Sequence, residues 1–186
     1  MLITDLSWSA SELPALVDAL CRRAGIPRRD AGVVHPPVSG ADIKVWFENS
    51  SARLGVEMDS IDLWGFRIEE KLRTGGPAAV PLKDRWIALL DARRGKAKLL
   101  APDLRVHSVD IETLRRAVAA PIEDPHRPEI EAVLDACDIQ GSRREKAVAA
   151  LLRERSRYQL AGACFQLRTP PGAPFVEQLQ QAGLLK

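Results

Sequence analysis

Apolar residues recur with helical spacing near the start of the chain. Within SASELPALVDALCRRAGIP, residues 9–27, they follow alternating steps of three and one, at Leu13, Leu16, Val17, Leu20 and Cys21. This spacing predicts an amphipathic helix that Ser9 or Ser11 would cap and Gly25 would end. The segment GADIKVWFENSSARLG, residues 40–55, repeats the pattern and predicts a second helix.

Strand patterns dominate the middle of the chain. Residues 56–61 alternate apolar and polar side chains, as a half-buried strand does. After a short helix over IEEKLRT, further strands are predicted at Ala78–Leu82, Arg85–Asp91, Lys96–Ala101 and RVHSV. A helix then begins at Asp110. This order predicts an α+β domain built on an antiparallel sheet, with the N-terminal helices packed on it.

The character of the sequence changes at Pro121. Residues 123–138 form an acidic helical segment and residues 142–157 a basic one, so we expect two helices lying side by side. The basic helix could instead contact phosphate groups. A short strand, ACFQLRT, and a terminal helix, PFVEQLQQAGLL, complete the prediction. We therefore divide the chain into a domain of residues 1–120 and a helical appendage and connector of residues 121–186.

Charge and composition narrow the function classes. The 27 basic and 25 acidic residues give a net charge of +2, so no long-range field attracts nucleic acid. No apolar run reaches the roughly 18 residues of a membrane span, and we expect the chain to be cytosolic. Cys21, Cys137 and Cys164 are widely spaced. Each is predicted to be a small buried apolar residue rather than half of a disulfide or a zinc ligand.

Metal and phosphate motifs are also missing from the sequence. His35, His107 and His126 stand apart, whereas a zinc site needs three or four converging ligands. The glycines form no phosphate-binding loop, since Gly75-Gly76 precedes a proline and predicts a turn. We expect no metal and no cofactor.

A cysteine nucleophile needs a thiolate, favoured at a helix N-terminus, and a histidine beside it. Cys21 falls in the last turns of its predicted helix, where the helix dipole has the wrong sign. Hydrolysis by Cys21 or Cys164 is kept as one hypothesis.

Short phrases in this order resemble a known family. A helix ending in CRRAGIP, a second ending in ARLGVE, then GPAAVPL, RWIALL, LLAPD and a helix after SVD are similar to the peptidase domain at the N-terminus of bacteriocin-exporting ABC transporters. The resemblance covers about residues 11–119. In that family a papain-like cysteine peptidase domain removes double-glycine leader peptides before export, so the resemblance implies that fold.

The resemblance also implies that catalysis is lost. The family's nucleophilic cysteine falls near Glu12, next to Ser11, and neither is a thiol. The family's histidine matches Arg85, and its aspartate falls near Ala101. With nucleophile, base and orienting group replaced, we expect no enzyme activity.

Some ABC exporters keep such an inactive domain to hold or orient the secretion substrate. The resemblance therefore implies a non-catalytic, substrate-binding domain at the cytoplasmic face of the inner membrane. Its partners would be a secreted peptide or its leader and the membrane and ATP-binding parts of an exporter, and the isolated domain would be monomeric. Trp46, Trp64 and Trp86 are the predicted peptide contacts, with Trp8 a further candidate. The alternative is a stand-alone peptide-binding module in natural-product biosynthesis.

Overall fold

An antiparallel sheet with helices on both faces organises the protein. The computed structural model describes residues 3–29, 35–36 and 43–168. The helices are α1 Leu13–Ala24, α2 Ile43–Leu54, α3 Ile68–Thr74, α4 Ile111–Glu123, α5 Arg127–Ala136 and α6 Gly141–Arg155. The strands are β1 Trp8–Ser9, β2 Glu57–Trp64, β3 Ala78–Leu82, β4 Arg85–Arg93, β5 Lys96–Leu100, β6 Val106–Asp110 and β7 Leu160–Arg168.

The strands are ordered β2-β7-β3-β4-β5-β6, and β1 pairs with the start of β4. Every one of these pairings is antiparallel. The predicted α+β class and antiparallel sheet are therefore confirmed. The papain-like fold implied by the resemblance stays a proposal.

The division between residues 1–120 and 121–186 does not separate two bodies. Helix α4 continues through Pro121 to Glu123, where Ile122 is buried in the core. A proline in the last turn removes one backbone donor, yet the helix continues while its apolar face stays covered. Strand β7 comes from the second part and pairs with both β2 and β3. Residues from both sides of the division thus build one sheet.

Each face of the sheet carries its own core. Helices α1 and α2 cover one face, on which Trp86, Ala88 and Phe165 of the sheet are buried. Helices α3 and α4 cover the other, which includes Ile87 and Leu89. Because successive side chains of a strand point to opposite faces, β4 must be apolar at consecutive positions. Its sequence RWIALL meets that requirement.

Stacked aromatic rings join α2 to the sheet. The Phe47 ring lies 3.8 Å from the Phe165 ring, centroid to centroid, at an interplanar angle of 13°. Trp86 adds a tilted ring 5.5 Å from Phe47. Phe47 is fully buried. These contacts fix α2, whose apolar stripe is otherwise narrow.

Helices α5 and α6 lie side by side, as their opposite charges predict. Arg144 bonds Asp135 at 2.6 Å and Arg155 bonds Glu129 at 3.3 Å. Exposed pairs of this kind stabilise by only about 0.2–1 kcal/mol each. The apolar contact therefore supplies most of the adhesion, through Ile130, Leu134, Val148 and Leu152.

Two further sequence predictions concern the chain ends and membranes. The terminal helix predicted over PFVEQLQQAGLL lies outside the described residues. Among the described residues, every helix is too short or too polar to cross a bilayer.

Replacing Phe47 with alanine tests the aromatic junction. The variant leaves a cavity against Phe165 and Trp86, so we expect the free energy of unfolding to fall by about 3–5 kcal/mol. Val45→Ala, on the same helix but 53% exposed, should change it by less than about 0.5 kcal/mol. Urea denaturation measures both; equal losses would contradict the assignment of Phe47 to the core.

Candidate functional site at one end of the sheet

Five elements meet at one end of the sheet. Strand β3 ends at Leu82, which pairs with Arg85 at the start of β4. Ser9 of β1 also pairs with Arg85, and the 3-10 turn Ala10–Glu12 leads from β1 into α1. Strand β5 ends here as well, since its last residue pairs with Ala88 of β4. The three positions assigned to nucleophile, base and orienting group, Glu12, Arg85 and Ala101, therefore lie at this end.

Arg85 holds the segment that precedes α1. Its Nε donates to the Ser7 hydroxyl at 2.5 Å, and its Nη2 donates to the Ser7 carbonyl oxygen, also at 2.5 Å. Ser7 is buried. A guanidinium stays protonated in proteins and cannot accept a proton. Arg85 thus fastens the N-terminal segment to β4 and cannot serve as a base.

Glu12 is bound in the turn before α1. One carboxylate oxygen accepts from the Ser9 hydroxyl and from the Ser9 backbone N–H, both at 2.7 Å. The hydroxyl bond, the N–H bond and the charge of Arg85 together lower the pKa of Glu12 below its usual value. The carboxylate therefore stays ionised and stabilises the turn.

Ala101 offers no group that could orient an imidazole. Its side chain is buried, and its backbone N–H bonds the Arg105 carbonyl at 3.0 Å. Next to it, the Leu100 carbonyl accepts the indole N–H of Trp8 at 2.8 Å. Trp8 is buried as well, so this predicted candidate is part of the core. The end of β5 is thus occupied by structural hydrogen bonds.

The thiols lie away from this end and in different surroundings. Cys21 is buried under the α1 and α2 face, and Cys164 under the α3 and α4 face. Burial raises the pKa of each to about 11. Cys137 is exposed, so its predicted burial is wrong: it follows the last turn of α5, outside the helix's apolar contact with α6. A buried thiol with so high a pKa is a poor nucleophile.

The histidines are spread over separate elements. His107 lies in β6 opposite Leu99, and the His126 ring contacts the Gln159 amide at 2.8 Å. The His35 carbonyl accepts the indole N–H of Trp46. Within residues 3–29, 35–36 and 43–168, no three His, Cys, Asp or Glu side chains converge as metal ligands would.

The three tryptophans predicted to contact peptide differ in how far they are exposed to solvent. Trp86 is only 6% exposed and packs among aromatic rings, so it is a core residue. Trp46 is half-buried against the same core. Trp64, at the end of β2, is 38% exposed and is the most exposed of the three.

Trp64 lies where β2 ends and β7 begins, and this end carries further exposed apolar side chains that the sequence did not indicate. We call Trp64, Phe66, Tyr158 and Leu160 the aromatic surface. Phe66 is 54% and Tyr158 73% exposed, and their rings lie 6.0 Å apart. Leu160 pairs with Trp64 across β7 and β2. Because more than 90 residues separate the two halves in the chain, local periodicity carries no signal for the cluster.

The backbone under the aromatic surface is held firmly. Gly65 N–H bonds the Gln159 carbonyl at 2.9 Å, and Phe66 N–H bonds the Arg157 carbonyl at 3.1 Å. A Cβ on Gly65 would lie 2.2 Å from the Ser156 carbonyl oxygen, so only glycine allows this approach. The exposed rings therefore project from a rigid support.

The aromatic surface lies at the same end of the sheet as Arg85. Strand β7 runs antiparallel to β3, which places its start, Leu160, beside the end of β3. From β4 to β2 the sheet passes through β3 and β7. Three interstrand spacings of about 4.8 Å put the surface roughly 14 Å to one side of Arg85.

No protein-family model matches the chain, and searches of curated proteins and of solved structures found no significant similarity.

Iodoacetamide at pH 8 tests the reactivity of the thiols. We expect only Cys137 to be alkylated in the folded protein, because a thiol of pKa about 11 is ionised to roughly one part in a thousand at that pH. Mass spectrometry of tryptic peptides assigns the sites, and the guanidinium-unfolded protein, in which all three thiols react, is the control. Fast modification of Cys21 or Cys164 in the folded protein would contradict their burial.

Proposed function

We propose that this chain is a non-catalytic, papain-like peptidase domain of a bacterial ABC exporter that binds or orients a peptide for secretion. The observation that carries the proposal is the meeting of Glu12, Arg85 and Ala101 at one end of the sheet. These are the positions that the family resemblance assigns to nucleophile, base and orienting group. Each now carries a residue with a structural role.

The proposal explains why the site cannot cut a peptide. Covalent hydrolysis needs a nucleophile, a base that removes its proton, and a group that holds the base in place. Glu12 is a hydrogen-bonded carboxylate, Arg85 a permanent cation and Ala101 a methyl group. Peptide binding does not need these three catalytic groups, since affinity depends on surface shape and on exposed apolar side chains.

The aromatic surface is the proposed anchor for the peptide. Solvent-exposed aromatic rings on a rigid backbone lose little conformational entropy on binding and are frequent hot spots of recognition. A peptide in extended conformation covers the roughly 14 Å between Arg85 and Trp64 with four or five residues, at about 3.3 Å per residue. Trp64 therefore remains a proposed peptide contact, whereas the burial of Trp86 argues for a supporting role.

The peptide or its leader would bind at the cytoplasmic face of the inner membrane, beside the membrane and ATP-binding parts of the exporter. The coding sequence downstream of Lys186 tests this point. Apolar spans followed by a nucleotide-binding motif would support an exporter, and a stop codon would favour a stand-alone peptide-binding module.

A fluorescently labelled double-glycine leader peptide tests binding and cleavage together. We expect it to bind and to remain intact after long incubation, as measured by fluorescence anisotropy and mass spectrometry. Trp64→Ala and Phe66→Ala should each weaken binding about tenfold, a loss of about 1.4 kcal/mol. Val133→Ala removes an equally exposed apolar side chain from α5 and should leave affinity unchanged.

Two results would contradict the proposal. Cleavage of the leader by the wild-type chain would show that catalysis is present. Equal affinities of the Trp64, Phe66 and Val133 variants would show that the peptide does not use the aromatic surface.

A further inference from the structure

Helices α5 and α6 form a unit with its own apolar core. We call residues 127–155 the arm. Its buried residues are Ile130, Leu134, Val148 and Leu152, with Ile139 and Ala147 packed against them. This cluster is separate from the core between α4 and the sheet. The hydrophobic effect therefore holds the arm together more than it holds the arm on the domain.

Charged side chains occupy the place where the arm meets α4. Arg115 and Glu123 of α4 are each only 4% exposed and bind one another through two bonds, of 2.7 and 3.3 Å. The Arg115 Nε also donates to Glu112, at 3.2 Å to either oxygen. Glu112 in turn accepts a bond of 2.5 Å from Arg153 of α6. Arg115, Glu123 and Glu112 all belong to α4, so this group, the Arg115 network, reaches the arm through the Arg153–Glu112 bond.

Such a junction is weak for its size. Burying a charge costs hydration energy that the ion pair returns only in part, so a buried pair stabilises less than an apolar contact of equal volume. The Arg153–Glu112 link is partly exposed and is screened by salt. Docking therefore rests on contacts that solvent can replace.

Cavities flank the junction on both sides. One of about 310 Å³ lies between α4 and the arm, bordered by Glu123, Val148 and Leu152. The other, of about 360 Å³, lies between Phe66 and the α6 residues Ala150 and Arg153. Both are open to solvent, since exposed side chains such as Arg116 and Arg157 border them. The boundary between the arm and the domain is therefore only partly packed.

The two chain segments that connect the arm to the domain meet at one point. His126, just before the arm, and Gln159, just after it, are in contact through their side chains at 2.8 Å. The Gln159 carbonyl also accepts the Gly65 N–H, which ties this point to the end of β2. The His126–Gln159 contact fixes the base of the arm, while the contact between α6 and α4 is only partly packed. Together they define a pivot at the His126–Gln159 contact.

We propose that the arm is a hinged, independently packed unit that the Arg115 network docks on α4, and that it swings out about the His126–Gln159 pivot while the sheet stays folded. Undocking exposes Arg115 and Glu123 to water and merges the two open cavities. The arm keeps its own core and its internal ion pairs in both positions.

Distance measurements between two spin labels test the hinge. Cys137 lies at the far end of α5 and is exposed, while Cys21 and Cys164 are buried, so labelling Lys98→Cys gives one pair between the arm and β5. Helix α5 has 10 residues and is about 15 Å long, so a swing of about 30° moves its far end by roughly 8 Å. We expect one narrow distance at low salt and a second population, displaced by about that much, in 1 M NaCl, with unchanged circular dichroism.

Variants of the network separate the hinge from general loosening. Arg115→Met leaves the Glu123 charge buried without its partner and should populate the undocked distance even at low salt. The double variant Arg115→Met/Glu123→Leu replaces the pair with apolar side chains that can join the two cores, and it should keep the docked distance in 1 M NaCl. Arg22→Ala, which removes an exposed arginine that pairs with Asp18 on α1, is the control outside the network and should behave as wild type.

If Arg115→Met fails to fold, the distances measured at increasing salt in the labelled protein that keeps Arg115 and Glu123 still test the proposal. A single distance that stays the same at every salt concentration in the labelled wild type would overturn the proposal. So would a double variant that undocks as readily as the wild type.

Discussion

The pairing of β1 with the start of β4 is the contact on which this structure depends most. It is only two residues long, Trp8 opposite Trp86 and Ser9 opposite Arg85. A pairing this short has little stability of its own. It is held by side chains, because Trp8 donates to the end of β5 and Arg85 donates twice to Ser7. The position of α1, and with it one face of the core, follows from this junction.

The same junction connects the fold with the proposed loss of catalysis. A helix N-terminus placed against a strand start is the arrangement in which a thiolate and an imidazole could exchange a proton. Here Arg85 uses that place to hold the chain, and Glu12 uses it to complete a turn. The guanidinium of Arg85 stays protonated and cannot accept a proton from a thiol. In the proposed change from peptide cleavage to peptide binding, Arg85 has a structural role at the position that the resemblance assigns to the base.

Periodicity predicted the elements better than their arrangement. The apolar spacing of α1 and the alternation along β2 are local, and each was predicted near its observed position. The insertion of β7 between β2 and β3 depends on pairing across 86 to 111 residues, which no local pattern records. The predicted division at residue 120 was based on a change in charge. Because β7 pairs with β2 and β3, that change does not coincide with a structural boundary. The aromatic surface escaped prediction because its members become neighbours only through that insertion.

Burial also decided which tryptophans stayed candidates. An exposed tryptophan and a buried one look alike in sequence, and the alternation of β4 is obscured because both of its faces are covered. Trp86 therefore could not be assigned from pattern alone, whereas Phe66 and Tyr158 had no pattern to draw attention to them.

The most direct test of the account is to restore the two groups that it holds to be missing. In the variant Glu12→Cys/Arg85→His, the introduced thiol should be alkylated rapidly below neutral pH, with a pKa under about 7.5 because an imidazolium lies beside it. Glu12→Cys/Arg85→Gln, which has no cation at position 85, should show a higher pKa, nearer the ordinary value of about 8.5. A histidine variant that keeps the pH profile of the glutamine variant, while remaining folded by circular dichroism, would contradict the claim that these positions form a former catalytic pair.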